Sequence, residues 1–230
     1  MQTDLQTLQT GRAGALGAAQ SKVLRNTYLL LALTMVPTVV GAFIGMATAS
    51  FVFQHPIAIS LGMLAVAIGL QYAIAANRNS GIGVALLMLL TLLLGWWLGP
   101  ILSVALALKN GPQLVGYAAA GTGAILATMA AIATTSKRDF SFMGKFLFVG
   151  MIALLVAMLA NMFFQIPALA LTISTLVIVV FSLFLLHDIS RIVHGGETNY
   201  IMAATGVYMS LFNIFANLLN LLMAFAGNRD

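Results

Sequence analysis

Seven long apolar segments constrain the fold of this chain more than any other feature of its sequence. They lie at residues 27–53, 56–76, 82–108, 113–135, 142–164, 167–193 and 200–226. Each reaches the length of about 20 residues that an α-helix needs to cross the hydrocarbon core of a bilayer. Because lipid cannot satisfy free backbone amides, such segments span membranes as helices. The sequence therefore predicts an all-α integral membrane protein with seven transmembrane helices.

Charged residues are scarce. They make up only 7% of the 230 residues, against about 25% in soluble domains. Basic residues outnumber acidic ones, 10 to 5, but they are scattered at segment ends and form no patch, so we expect the lipid bilayer and no nucleic acid as a partner. The chain contains no cysteine, which excludes disulfides, thiolate nucleophiles and cysteine-ligated metals.

The positions of the basic residues predict the orientation of the chain. Lys109 and Arg229 fall on one side of the seven segments, and all others fall on the opposite side: Arg12, Lys22, Arg25, Arg78, Lys137, Arg138, Lys145 and Arg191. Cytoplasmic loops of membrane proteins carry an excess of lysine and arginine. We therefore expect the N-terminus in the cytoplasm and the C-terminus on the outer face of the membrane.

Residues 1–26 precede the first apolar segment and differ from it in composition. They are rich in Gly, Ala and Gln and lack a sustained apolar face. This pattern predicts a flexible cytoplasmic tail that becomes helical near residues 22–26, followed by one seven-helix membrane domain at 27–230. A cleavable signal peptide is not expected, because its short apolar core would stand near the start of the chain.

The last segment carries a polar stripe. Gly206, Ser210, Asn213, Asn217 and Asn220 are spaced by three or four residues and share one helical face. Amide side chains are not satisfied by lipid, so this face is predicted to point into the protein and to make the last helix central. The stripe either bonds neighbouring helices or lines a hydrated path. We favour packing, because a permeation route usually recruits several helices.

Small residues recur in the fourth segment. Gly116, Ala120, Gly123 and Ala127 form a ladder that allows helix backbones to approach closely. We interpret this ladder as packing within the bundle in preference to a dimer face.

Asp188 is the carboxylate that the sequence places within a membrane-spanning helix. It lies about five residues before the end of its segment, which at 1.5 Å per residue is a depth of only ~8 Å. A charge at the bilayer centre costs about 2.5–3.5 kcal/mol, and this cost is smaller near the edge beside a cation. Arg191 and Arg78 are the expected cations. The cluster, with His187 next in the chain, is therefore either a structural ion pair or a gate.

Catalysis is not expected from the remaining residues. His55 falls on the outer side and His187 and His194 on the inner side, so the three cannot converge on one metal ion. The chain also lacks a GxSxG nucleophile motif and a second intramembrane aspartate. We expect no enzyme, no metal and no cofactor.

Four motifs make the sequence recognisable. They are GWWLGPIL (95–102), KRDFSFMGKFL (137–147), SLFLLHDISRIVHGGETNY (182–200) and YMSLFNIFANLL (208–219). In this order, within seven spans, they resemble the Bax inhibitor-1 family. HGGETNY (194–200) and RNTY (25–28) are similar to the bacterial YccA branch of that family. The likeness covers essentially everything after residue 22.

The resemblance implies a fold in which six helices surround a central seventh. It also implies two functions. One is a pH-sensitive calcium leak, run by aspartates on the sixth and seventh spans with an arginine on the second. The other, attached to the YccA branch, is an inner-membrane protein that engages the membrane-anchored AAA protease FtsH as a slow substrate and modulator. In that reading, the protease engages the start of the tail at Met1, Gln2, Thr3 and Asp4.

The residues of the leak carry over only in part. The sixth-span aspartate corresponds to Asp188 and the second-span arginine to Arg78, but Ser210 stands where the family has its second aspartate. Two adjacent carboxylates titrate as a coupled pair, whereas a serine does not titrate. This substitution favours a static lock over a proton switch, and it favours the FtsH function over the leak.

Overall fold

The computed structural model describes the backbone of residues 2–227 and the side chains of residues 17–226. Its helices are α1 (Gln2–Ala47), α2 (Ala49–Gln54), α3 (Pro56–Ala76), α4 (Gly81–Ala107), α5 (Gly111–Thr135), α6 (Gly144–Phe164), α7 (Pro167–Val193) and α8 (Tyr200–Gly227), with a 3-10 turn at Ser141–Met143. Residues 2–227 contain no strand. All helices except α2 are long and apolar enough to cross a membrane, which confirms the predicted all-α fold with seven spans.

The first apolar segment is divided into two helices. α1 begins at Gln2 instead of near residue 22, and the candidate span within it is Gly17–Ala47. Thr48 separates α1 from α2: its hydroxyl donates to the Ile44 carbonyl at 2.9 Å and accepts from Trp96 Nε1 at 2.9 Å. The flexible tail stays a prediction. The side chains of Met1, Gln2, Thr3 and Asp4 lie outside the described residues.

α8 is the central helix of the bundle. It packs against α1, α3, α4, α5 and α7, whereas α6 packs on α7 and on the 3-10 turn that precedes it. Tyr208, near the middle of α8, is buried, and its hydroxyl lies 2.8 Å from Thr38 Oγ1 on α1. The bond gives a buried phenol the polar partner that lipid would not supply.

Glycines bring α1 and α4 into backbone contact. Gly41 and Gly45 on α1 face Gly95 and Gly99 on α4, and a methyl group at any of these positions would overlap backbone atoms of the opposite helix. Glycine pairs spaced by four residues permit this approach, and van der Waals packing then stabilises the helix pair without a hydrophobic driving force.

The small-residue ladder of α5 was wrongly interpreted as bundle packing. Gly116, Ala120, Gly123 and Ala127 are all exposed, and a methyl group at Gly116 or Gly123 would meet no atom within 4 Å. α5 instead buries a different face, formed by Leu114, Ala118, Thr122 and Ala133. Because Ala118, Thr122 and Ala133 on the buried face are also small, residue size alone does not decide which face of α5 packs against the bundle.

Candidate functional site

The last turns of α7 hold two polar side chains in contact. Nδ1 of His187 lies 3.1 Å from Oδ1 of Asp188, so a proton on Nδ1 is donated to the carboxylate. The side chains are 10% and 19% exposed respectively. Phe184 packs edge-on against the imidazole, one turn earlier on the same helix. The two side chains are thus largely shielded from solvent.

Two glycines on neighbouring helices make room for this pair. A methyl group at Gly206 of α8 would stand 2.8 Å from Oδ2 of Asp188, and one at Gly144 of α6 would stand 2.7 Å from Nε2 of His187. Both distances are shorter than ordinary van der Waals contact, so each glycine is needed for the observed fit. We call the four residues His187, Asp188, Gly144 and Gly206 the polar notch.

The expected arginine partners of Asp188 are not in the polar notch. Among residues 17–226 the ion pairs are His187–Asp188 and Arg191–Glu197. Arg191 donates from Nη2 to Oε2 of Glu197 at 3.3 Å and to the Gly196 carbonyl at 3.2 Å. Arg78 is exposed in the turn after α3. The prediction of an arginine pair was wrong because Arg191, at the helix end, meets the carboxylate of the following loop.

Ser210 lies deeper in the membrane than the polar notch. Gly206 is the α8 residue against the Asp188 carboxylate, and Ser210 follows it by four residues, which is about 6 Å along the helix axis. Ser210 is nevertheless buried, with 2% of its surface exposed. The structure therefore brings together Asp188, His187 and Gly206, with Ser210 one turn away.

Most asparagines of the polar stripe bond within α8. Nδ2 of Asn213 donates to the Met209 carbonyl and Nδ2 of Asn217 to the Asn213 carbonyl, both at 2.9 Å. Asn220 alone of the three crosses to a neighbouring helix in the described residues, donating to Ser174 Oγ at 3.0 Å. Sequence reasoning missed the Tyr208–Thr38 bond, which joins α8 to α1.

The connection between α7 and α8 is held by its own polar side chains. Oδ1 of Asn199 accepts from the backbone amides of Ile201 and Met202 and so caps α8. Its Nδ2 donates to the Arg78 carbonyl and to Asn79 Oδ1, both at 2.8 Å. The HGGETNY motif thus ties the start of the central helix to the turn between α3 and α4.

A second junction on this side joins the α5–α6 connection to the end of α7. The Phe140 amide donates to Ser190 Oγ at 3.0 Å, and Ser190 Oγ lies 3.3 Å from His194 Nδ1. Asp139 accepts from the amide and hydroxyl of Ser141, and these two bonds hold the pKa of the Asp139 carboxyl below its ordinary value. Sequence reasoning missed this junction, although the Asp-x-Ser spacing is typical of a side-chain turn.

The junction does not have the chemistry of a catalytic triad. Ser190 is fully buried, and the Asp139 carboxylate contacts the serine hydroxyl at 3.4 Å instead of orienting the histidine. No group of three or more His, Cys, Asp or Glu residues in the described part of the chain could hold a metal ion.

Comparison with known proteins identifies what the chain is similar to. The family model described as "Inhibitor of apoptosis-promoting Bax1" matches residues 20–227. An uncharacterised membrane protein of Vibrio cholerae serotype O1 is 40% identical over 88% of this chain and 89% of its own length. The Escherichia coli K12 protein named "Modulator of FtsH protease YccA" is 39% identical over 87% of this chain and 89% of its own length. A protein of Escherichia coli O6:H1 named "Inner membrane protein YccA" matches equally well.

Proposed function

The chain belongs to the Bax inhibitor-1 family, and on that premise we propose that it is an inner-membrane protein that engages the protease FtsH as a slow substrate and modulator. The observation that carries this proposal is the 39% identity, over 87% of the chain, with a relative named as a modulator of FtsH. The family model, which matches residues 20–227, includes the central helix and both polar connections described above.

The packing of the bundle supports a role as a slow substrate. A processive protease must extract helices one after another, and its progress depends on the stability of what it pulls. α1 lies in backbone contact with α4 through four glycines, and its Thr38 bonds Tyr208 of the central helix. Extraction from the N-terminus would therefore have to break the closest helix pair of the bundle first.

The N-terminal tail supplies the starting point in this proposal. A protease that unfolds its substrate begins on an accessible end. The distribution of basic residues supports a cytoplasmic N-terminus, which would expose Met1, Gln2, Thr3 and Asp4 to the ATPase. The C-terminus would then lie on the other face, out of reach of a cytoplasmic ATPase.

Capture on an inactive protease tests the proposal. The full chain would be co-expressed with FtsH whose proteolytic site is disabled, and the complex isolated from detergent extracts by a tag on FtsH. We expect the full chain to be retained and a variant that lacks residues 2–15 to be retained much less. The proposal would be contradicted if the full chain and the shortened variant were recovered in equal amounts, and in the same amounts from cells without tagged FtsH.

A cation leak at Asp188 is the second candidate function. The observation that favours it is a carboxylate inside a spanning helix, 19% exposed, whose partner is a histidine and not an arginine. Acidic side chains within membrane-spanning helices often mark ion pathways. Purified protein in calcium-loaded liposomes distinguishes the two functions: a calcium flux that Asp188→Asn changes markedly, in either direction, would support the leak.

A further inference from the structure

We propose that the loop between α7 and α8 is a latch that holds the N-terminal arm of α1 against the bundle and so limits the access of a protease to the tail. The arm comprises residues 17–26 and the latch residues 194–199. The effect of the latch on degradation rests on the proposed function, whereas the contact between arm and latch does not depend on it.

The arm stands outside the hydrocarbon core. The apolar part of α1 that includes it, Gly17–Ala47, has 31 residues, whereas about 20 residues suffice to cross a bilayer. Lys22 and Arg25 are exposed on the arm, and charged side chains are strongly disfavoured within lipid. The excess turns of α1 therefore project from the membrane on the side where the latch lies.

The latch is rigid because its ends are fixed by several bonds. Glu197 accepts from Arg191 at 3.3 Å through Oε2 and from the Asn199 amide at 2.9 Å through Oε1. The Glu197 amide donates to the Arg191 carbonyl at 3.0 Å, and Asn199 bonds the Arg78 carbonyl at 2.8 Å. These bonds tie Glu197 to α7 and Asn199 to the turn after α3.

Gly195 is the point at which the latch contacts the arm. It adopts φ +78°, a left-handed conformation that favours glycine. The side-chain amide of Gln20 lies over it, so that a methyl group at Gly195 would stand 2.9 Å from Nε2 of Gln20. The backbone conformation therefore favours glycine at this position, and an added methyl group would push the Gln20 side chain aside.

The remainder of the interface is loosely filled. A groove of about 500 Å³ separates arm and latch, with Val23 and Asn26 on one wall and Thr198 and Tyr200 on the other. No residue from 17 to 26 is buried, so the arm is held at few points. A segment with few buried contacts opens at a lower free energy than the bundle, and the Gln20–Gly195 contact then decides how often it opens.

Trypsin cleavage at Lys22 and Arg25 measures this opening directly. Both side chains are exposed but lie on helical backbone, which a protease cleaves only after local unfolding. The full chain in detergent micelles would be treated with trypsin, and the two peptide bonds followed by mass spectrometry. We expect Gly195→Ala and Gln20→Ala each to raise the cleavage rate about fivefold, which corresponds to about 1 kcal/mol.

Neighbouring residues supply matched controls. Gly196 lacks a positive φ, and a methyl group there would meet Arg191 only at 3.6 Å, which is ordinary contact. Ser21 is exposed beside Gln20. Gly196→Ala and Ser21→Ala should therefore be cleaved at the wild-type rate. Cleavage of Gln20→Ala no faster than that of Ser21→Ala would overturn the proposal, even if Gly195→Ala disturbs folding.

The same variants separate failure of the latch from failure of the proposed function. In cells, Gln20→Ala should be degraded faster than the wild type in an FtsH-dependent manner. Faster trypsin cleavage combined with degradation that does not depend on FtsH would retain the latch and refute the proposed function. Unchanged trypsin cleavage of Gln20→Ala, combined with FtsH-dependent degradation of the wild type, would refute the latch and retain the proposed function.

Discussion

Adding one methyl group at Gly99 should separate α1 from α4 and measurably destabilise the bundle. In Gly99→Ala the new Cβ would overlap the backbone of Gly45 and Met46. Backbone atoms cannot move aside as a flexible side chain can, so the two helices must separate along their whole contact. Overpacking of this kind costs typically ~1–3 kcal/mol, and rigid backbone on both sides favours the upper end.

Helix propensity partly offsets this cost. Alanine is about 1 kcal/mol more favourable than glycine within a helix. The net loss is therefore about 2 kcal/mol, which corresponds to a fall in melting temperature of about 4–8 °C for a chain of this size. Thermal unfolding in detergent micelles, followed by helical circular dichroism, measures the change.

Gly123→Ala is the matched control for this experiment. Gly123 lies in a spanning helix, as Gly99 does, but a methyl group at Gly123 would meet no atom within 4 Å. Its melting temperature should be unchanged or slightly raised. If Gly99→Ala is as stable as Gly123→Ala, the α1–α4 contact does not limit the stability of the bundle, and the argument for slow extraction loses its structural basis.

Further predictions concern the polar notch, the α5–α6 connection and the tail. Asp188→Asn should cost about 1–3 kcal/mol of stability by removing the charged partner of His187, with little change in liposomal calcium flux; a large rise in flux at unaltered stability would favour a gate. Ser210→Asp should create a pH response between about pH 6 and 8 in tryptophan fluorescence that the wild type lacks, because it adds a second titratable carboxylate one helical turn from the Asp188 site; a steep response already present in the wild type would contradict this. The pKa of Asp139 is lowered in the folded protein. The Asp139 carboxylate therefore stabilises the fold above the ordinary carboxyl pKa, and this stabilisation is lost as the pH falls through the pKa of the folded state. Acid unfolding of Asp139→Asn should not show this loss. Deleting residues 2–15 should lengthen the half-life measured by pulse-chase without changing membrane insertion; unchanged turnover would refute a tail-directed mechanism.

Hydropathy was sufficient to predict the seven spans, and the polar stripe was sufficient to predict the central position of the last one. The spans follow from length and apolar composition, because lipid leaves few alternatives to a helix. The asparagines of the polar stripe indicated α8 as the central helix, since amides are costly against lipid. The hydrogen bonds of these asparagines could not be predicted from the sequence. The side-chain amides of Asn213 and Asn217 donate to backbone carbonyls of their own helix, and an amide can equally well donate across a helix interface.

Spacing alone could not tell which small residues pack. Gly95 and Gly99 pack against α1, whereas Gly116 and Gly123, at similar helical spacing, face outward. The difference depends on what the opposite helix presents, here Gly41 and Gly45, which is a property of two helices together. The partner of Arg191 was missed for a similar reason, since the loop that brings Glu197 to it has no regular structure from which its path could be inferred.

The lifetime of the full chain in cells with and without active FtsH tests the central claim most directly. Pulse-chase labelling would follow this chain, together with a known rapidly degraded FtsH substrate, in both backgrounds. The proposed function predicts that the chain disappears slowly only when FtsH is active, and that its overproduction lengthens the lifetime of the second substrate. Equal lifetimes of the chain in both backgrounds, with no effect on the second substrate, would contradict the proposal.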